Sequence, residues 1–165
     1  MTRHAPSLGI VGMALLLAVG CGTTTRPSRD FVRTQARLFL ESTDGDAPMV
    51  RLPRSGVAIA VSPKAVITEG DIVNAEVVQV DLGRCLMLEV TPAASRDLYR
   101  LTGSNQGRRL VLTLNDVALG VRQIDRAIEG GALLLFVEIT DAELATLVVN
   151  LKRTSEELQK EFARR

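Results

Sequence analysis

From Arg37 to Ile139 apolar residues arrive in short alternating runs closed by Gly, Pro, Asn or Asp, and full helical spacing takes over at two places. A chain patterned this way must build a sheet of short strands with few helices. "RLFLES" (Arg37–Ser42) alternates and reads as a strand, "DGDAP" (Asp44–Pro48) as a turn or loop, and "GVAIAV" (Gly56–Val61) as a second strand. Glu76–Asp81 and Cys85–Val90 read as a hairpin turning around Gly83. Arg109–Asn115 and Val117–Ile124 run side by side around an Asn115-Asp116 corner. After a turn at Glu129–Gly131, Ala132–Ile139 is apolar enough to be central in the sheet.

The helix starts are specific. Thr91 is an N-cap followed by Pro92, whose missing N–H costs nothing in a first turn, and Ala94, Leu98 and Leu101 recur at helical spacing. This helix is expected to stop near Thr102 because Gly103 follows. Thr140 with Glu143 makes a capping box ahead of an apolar stripe of Leu144, Leu147, Val148 and Leu151. Leu158 and Phe162 could extend the stripe, but the intervening "KRTSEE" is polar, so the last turns are expected to fray or stand free. A lesser box, Thr68 with Asp71, predicts one short turn continued by Ile72, Val73 and Ala75.

The N-terminus reads as a targeting segment. Arg3 and His4 give a basic start, and Leu8–Gly20 is an apolar run short for a permanent membrane span. It ends in "LLLAVGCG", which resembles a bacterial lipoprotein signal with its lipobox, so that residues 1–20 would be removed and Cys21 would carry the lipid. An ordinary secretory signal or an uncleaved anchor is the alternative. Gly22, where an acidic residue could stand, leans the sorting toward the outer membrane. Residues 21–36, opening "CGTTTRPSRD", are polar and read as a flexible tether, 37–151 as the folded domain, and 152–165 as a polar helical extension.

Inventory excludes much chemistry. Removing residues 1–20 takes away one Arg and the only His, which leaves acidic and basic side chains in balance and argues against nucleic-acid binding. Without His there is no Ser-His-Asp or Cys-His arrangement and no His-ligated zinc. With Cys21 lipidated, Cys85 is alone and reads as a buried structural thiol, sharing a strand face with Met87 and Glu89. Asp71, Asp81, Asp116, Asp125 and Glu138 sit in no recognisable acid-base motif. "TGSNQGRR", with Gly103 and Gly107 ahead of Arg108 and Arg109, looks like a phosphate loop, but a helix precedes it and a strand follows, the reverse of the order such loops need. The two arginines read as solvated or ion-paired at a strand start. The expectation is therefore no enzyme, with no catalytic, cofactor-binding or metal-ligating residues, no cofactor and no nucleotide.

One stretch, Ile67 to Leu151, resembles the head subdomain of the first periplasmic domain of SecD, from the SecDF protein-export family. The resemblance is carried by Thr68, Asp71, Ile72 and Ala75; by Leu98, Thr102 and Gly107; by the Asn115-Asp116 corner; by Ile124, Ile128 and Gly131; and by Thr140, Glu143, Ala145 and Leu151. Each motif is weak alone, and their shared order carries the likeness. The chain departs from the family with "GVRQI" where a Pro is common, and with Lys152 where a Gly usually follows the last helix. The membrane bundle that drives SecD-type motors has no counterpart here, so motor function is not implied. The resemblance implies an α+β fold of ferredoxin-like β-α-β units, a mostly antiparallel sheet with helices on one face. Together with the lipobox and the missing catalytic inventory, it points to a lipid-anchored periplasmic, non-enzymatic binding module; the expected partners are the membrane, through Cys21, and exported or unfolded polypeptide or an envelope protein complex. Binding is expected at an exposed strand edge or on the sheet face left bare by helices. The alternative is a structural envelope lipoprotein acting as a tether or scaffold through its C-terminal helix.

Overall fold

The computed structural model describes residues 33–164; the signal segment, Cys21 and the tether up to residue 32 lie outside them. The chain runs β1 (Ala36–Glu41), β2 (Met49–Arg51), β3 (Ala58–Ile67), a 3-10 turn (Glu69–Asp71), β4 (Ile72–Val80), β5 (Gly83–Val90), α1 (Pro92–Ser104), β6 (Arg109–Leu114), β7 (Val117–Gln123), β8 (Ala132–Val137) and α2 (Asp141–Phe162). The strands form one sheet in the order β2-β3-β1-β6-β7-β8-β5-β4, every neighbouring pair antiparallel. This is the expected α+β architecture, and β8 is an interior strand, sixth of the eight, between β7 and β5.

Both helices lie against one face of the sheet. Leu38, Ile72, Leu86, Leu88, Leu110, Leu112, Leu133 and Leu135 meet Ala94 and Leu98 of α1 and Leu144, Val148 and Leu151 of α2 in the main core. The largest fully buried side chains are all Leu or Ile, as the scarcity of aromatics requires. On the opposite face a smaller cluster of Leu52, Ile59, Val61, Val111 and Ala118 is roofed by the β2–β3 turn. That turn is fastened to the end of β8 by Glu138, whose carboxylate accepts the N–H groups of Arg54 at 2.7 Å and Ser55 at 2.9 Å. Beyond this cluster the second face is bare.

The structure corrects several expectations. β3 continues six residues past Val61, through Pro63, because only β1 flanks this stretch and the absent N–H falls on an unpaired side. β2, three residues long, was not foreseen. The Thr68–Asp71 box forms, but Ile72, Val73 and Ala75 begin β4 and do not extend a helix; their β-branched neighbours favour the extended chain. α1 passes through Gly103 and ends at Ser104, where Asn105 caps it by donating its side-chain amide to Leu101 O at 2.7 Å. Gly107, with φ +85°, makes the left-handed turn.

The last turns of α2 do not stand free. Thr154 and Ser155 are buried, and the Thr154 hydroxyl accepts the N–H of Thr34 at 3.0 Å while donating to Asn150 O at 2.8 Å. The ring of Phe162 rests 3.4 Å from where a Cβ on Gly70 would sit. The polar "KRTSEE" can pack against the domain because hydroxyls are buried without penalty once their hydrogen bonds are met.

The two arginines after Gly107 act as a clamp. The Glu41 carboxylate accepts the backbone N–H of Arg109 at 2.9 Å, its Nε at 3.0 Å and its Nη2, while Arg108 donates to the Glu41 carbonyl and to the Asn105 side chain. Arg109 thereby holds the Glu41 carboxyl below the usual carboxylate range. A carboxyl lowered on folding contributes stability fully above its unfolded pKa, and that contribution fades as pH falls through the lower, folded value. Glu41→Gln is expected to cost about 1 kcal/mol at pH 7, and the gap from the parent should close below the ordinary carboxylate range. Urea unfolding at neutral and acidic pH measures both.

The sheet's outer sides differ. β3 presents Pro63 and Lys64 beyond the end of β2. β4 is bordered by Lys152, whose ammonium reaches Glu76 at 3.5 Å, and the N–H of Ala75 is taken by the Asn74 side chain at 2.9 Å.

Candidate functional site

The bare half of the sheet is where the ladder is thinnest. β7 and β8 share only two registered pairs, Gly120↔Val137 and Val121↔Phe136. After these, β7 stays with β6 (Arg109↔Gln123, Leu110↔Arg122) and β8 stays with β5 (Leu86↔Leu135 to Glu89↔Ala132). A seam therefore opens between them. Gly120 sets the close end: an added Cβ there would lie 2.8 Å from Phe136 O and 2.9 Å from the Val137 side chain.

Arg122 stands in the seam. Its Nη1 donates to Leu134 O at 3.0 Å, a bond that continued strand pairing would have given to a backbone N–H. Its Nε is buried with no hydrogen-bond partner. A cleft of about 430 Å³ opens here, lined by Val80, Asp81, Leu82, Cys85, Val121, Arg122, Gln123, Leu134 and Phe136. Leu82 (84% exposed) and Phe136 (43% exposed) are large apolar groups in contact with water. On its other side Arg122 lines a second, more polar hollow with Arg126 and Glu129. The arrangement offers an apolar trough with one guanidinium at its floor, suited to holding an uncharged chain rather than to moving protons or electrons.

Of the sequence-derived candidates, Cys85 and Asp81 border the cleft and the others lie elsewhere. Cys85 is buried in the cleft wall, where it donates weakly to Val78 O at 3.6 Å, and burial pushes its thiol pKa up, away from nucleophilic behaviour. The five carboxylates do not converge: Asp71 closes its capping box, Asp116 pairs with Arg37 at 3.9 Å, Glu138 holds the β2–β3 turn, Asp125 is exposed, and Asp81 alone borders the cleft. Among the described residues no cluster of potential metal ligands occurs, and no helix is long and apolar enough to cross a membrane. Cys21 lies outside the described residues. Sequence reading missed Arg122 and Phe136, although Gly120 inside a strand pattern was a signal of close backbone approach.

No protein-family model matches the sequence, and no curated protein does. Solved structures do. The chain is similar in fold to a structure of SecDF described as a membrane component that enhances protein export, with TM-score 0.58, 18% identity, 73% of this chain and 62% of that one covered. It is similar to SecDF in its super-membrane-facing form, with TM-score 0.59 and 19% identity over 73% of this chain and 19% of that one. A third is SecDF, a translocon-associated membrane protein from Thermus thermophilus, with TM-score 0.51 and 18% identity over 75% of this chain and 20% of that one. The likeness to SecD, carried in the sequence by scattered motifs, is thus present in three dimensions as a fold shared with SecDF structures. The chain spans about a fifth of the longer SecDF structures.

Proposed function

We propose that this chain is a lipid-anchored periplasmic binding module, without enzymatic activity, that serves protein export by holding extended polypeptide on the bare half of its sheet. The observation that carries the reading is the fold shared with SecDF over 73% of the chain. The exposed cleft supports it, since Phe136, Leu134, Val121 and Leu82 offer apolar contact to segments that a folded partner would keep inside. Attachment would come from lipid on Cys21, with the outer membrane as the favoured location. The alternative of a tether working through the C-terminal helix gains nothing from a helix whose Thr154 and Ser155 are buried against its own domain.

A photo-crosslinking residue in place of Phe136, in cells expressing the full chain, should recover exported polypeptides. The same residue at Val149, 55% exposed on α2, should recover few. Crosslinks only at Val149 would favour the tether, and crosslinks to no envelope or exported protein at either position would end the binding reading.

A further inference from the structure

The seam between β7 and β8 differs from a merely bare apolar patch because its backbone and side-chain polar groups are mismatched. Leu134 O is satisfied by a side chain in place of a strand, and the guanidinium that satisfies it keeps a buried Nε with no acceptor. An unmet buried donor is costly, so the site favours any occupant that brings an acceptor to it. From the same position, two strands diverge with one side of each unpaired beyond Val121↔Phe136.

We infer that the seam is a strand-insertion site, in which a short extended, uncharged polypeptide segment enters between β7 and β8 with Arg122 as its backbone reader. The exchange keeps donors and acceptors balanced. An incoming N–H replaces Nη1 at Leu134 O, and the released guanidinium donates to an incoming carbonyl. Main-chain pairing supplies affinity without reading sequence, and alternate side chains of the segment meet Phe136 and Leu82 on the open face. The cleft volume of about 430 Å³ is within the range of about 300–1,000 Å³ usual for ligand sites. Arg122 alone would suit a carboxylate such as a fatty acid's, but Asp81 in the same cleft offsets its charge, which leaves an uncharged main-chain carbonyl as the favoured acceptor. This inference rests on the polypeptide-holding role proposed above and locates it.

The test uses the full chain in detergent and a fluorescein-labelled peptide of alternating Thr and Val, followed by fluorescence anisotropy. Because the chain has no Trp, the label supplies the signal. The parent should bind the peptide, its N-methylated twin should bind at least tenfold more weakly, and palmitate should not compete. Phe136→Asp should weaken binding at least tenfold, and Arg122→Met about tenfold, with Arg122→Lys recovering part of the loss. Thermal melts of each variant separate lost binding from lost folding. For any variant that melts early, protection of the Leu134–Phe136 amides from hydrogen exchange on adding peptide to the parent replaces it, and unchanged exchange counts against insertion. If Phe136→Asp weakens binding while Arg122→Met and N-methylation change nothing, the seam is not the site but the holding role survives. If the peptide does not bind and palmitate does, the occupant is an acyl chain and the inference falls. If neither the peptide nor a chemically unfolded protein binds, the holding role falls as well.

Discussion

Gly120→Ala is expected to cost about 3 kcal/mol, the upper end of the usual penalty for overpacking. The added Cβ meets a backbone oxygen, Phe136 O, at 2.8 Å and the Val137 side chain at 2.9 Å, and a carbonyl fixed in a ladder cannot move aside as a flexible side-chain tip can. The backbone of Gly120 is not left-handed, so the penalty is one of space alone. Since Gly120↔Val137 is one of only two registered pairs joining β7 to β8, the loss falls at the weakest joint of the sheet. Urea unfolding should show a lower midpoint, and hydrogen exchange should show the amides of Val121 and Phe136 loosened first. An unchanged midpoint would mean that the two strands are not this close.

Thr102→Val should cost about 1–3 kcal/mol, the penalty for stranding a buried donor, although the side chain keeps its shape. Thr102 is wholly buried near the end of α1. Its hydroxyl donates to Leu98 O at 2.7 Å and accepts the N–H of Ile128 at 2.8 Å. Valine leaves that N–H buried without an acceptor, and the connection from β7 to β8 loses its hold on the helix. Thr102→Ser should recover most of the stability, and the amide of Ile128 should exchange fast in the valine variant and slowly in the serine one. Equal stability in all three proteins would show that water reaches the Ile128 amide.

This second case shows how much of the molecule could be read from its sequence. In the sequence Leu98, Thr102, Ile124, Ile128 and Gly131 are scattered positions, and in the fold they gather around α1. Ile124 and Ile128 enter the core beside Leu98, and Thr102 ties the segment between them to α1. Strands with alternating apolar residues were legible because burial on one face imposes a period of two. Turns at Gly83, Asn115-Asp116 and Gly131 were legible because left-handed or tight backbone restricts residue type. β2 was not, because three residues carry too little pattern, nor was the reach of β3 past Pro63, which depends on which side of the strand is left unpaired. The seam was the least legible part. Nothing local to Arg122 says that β7 and β8 part after two pairs, since that divergence is set by their other neighbours, β6 and β5.

The open sides of the sheet, β3 past the end of β2 and the edge strand β4, are both guarded against pairing with another chain. An open row of peptide groups is a template on which another chain can align, and repeated alignment builds fibres. Here Pro63 removes a donor from one side and Lys64 adds a charge beside it, while on the other side the Asn74 amide occupies a donor and the Lys152–Glu76 pair places opposite charges across the approach. Growth of the sheet is thus discouraged at its rims while its interior seam stays open. Crowded copies can therefore remain individual molecules while the cleft beside Arg122 stays exposed.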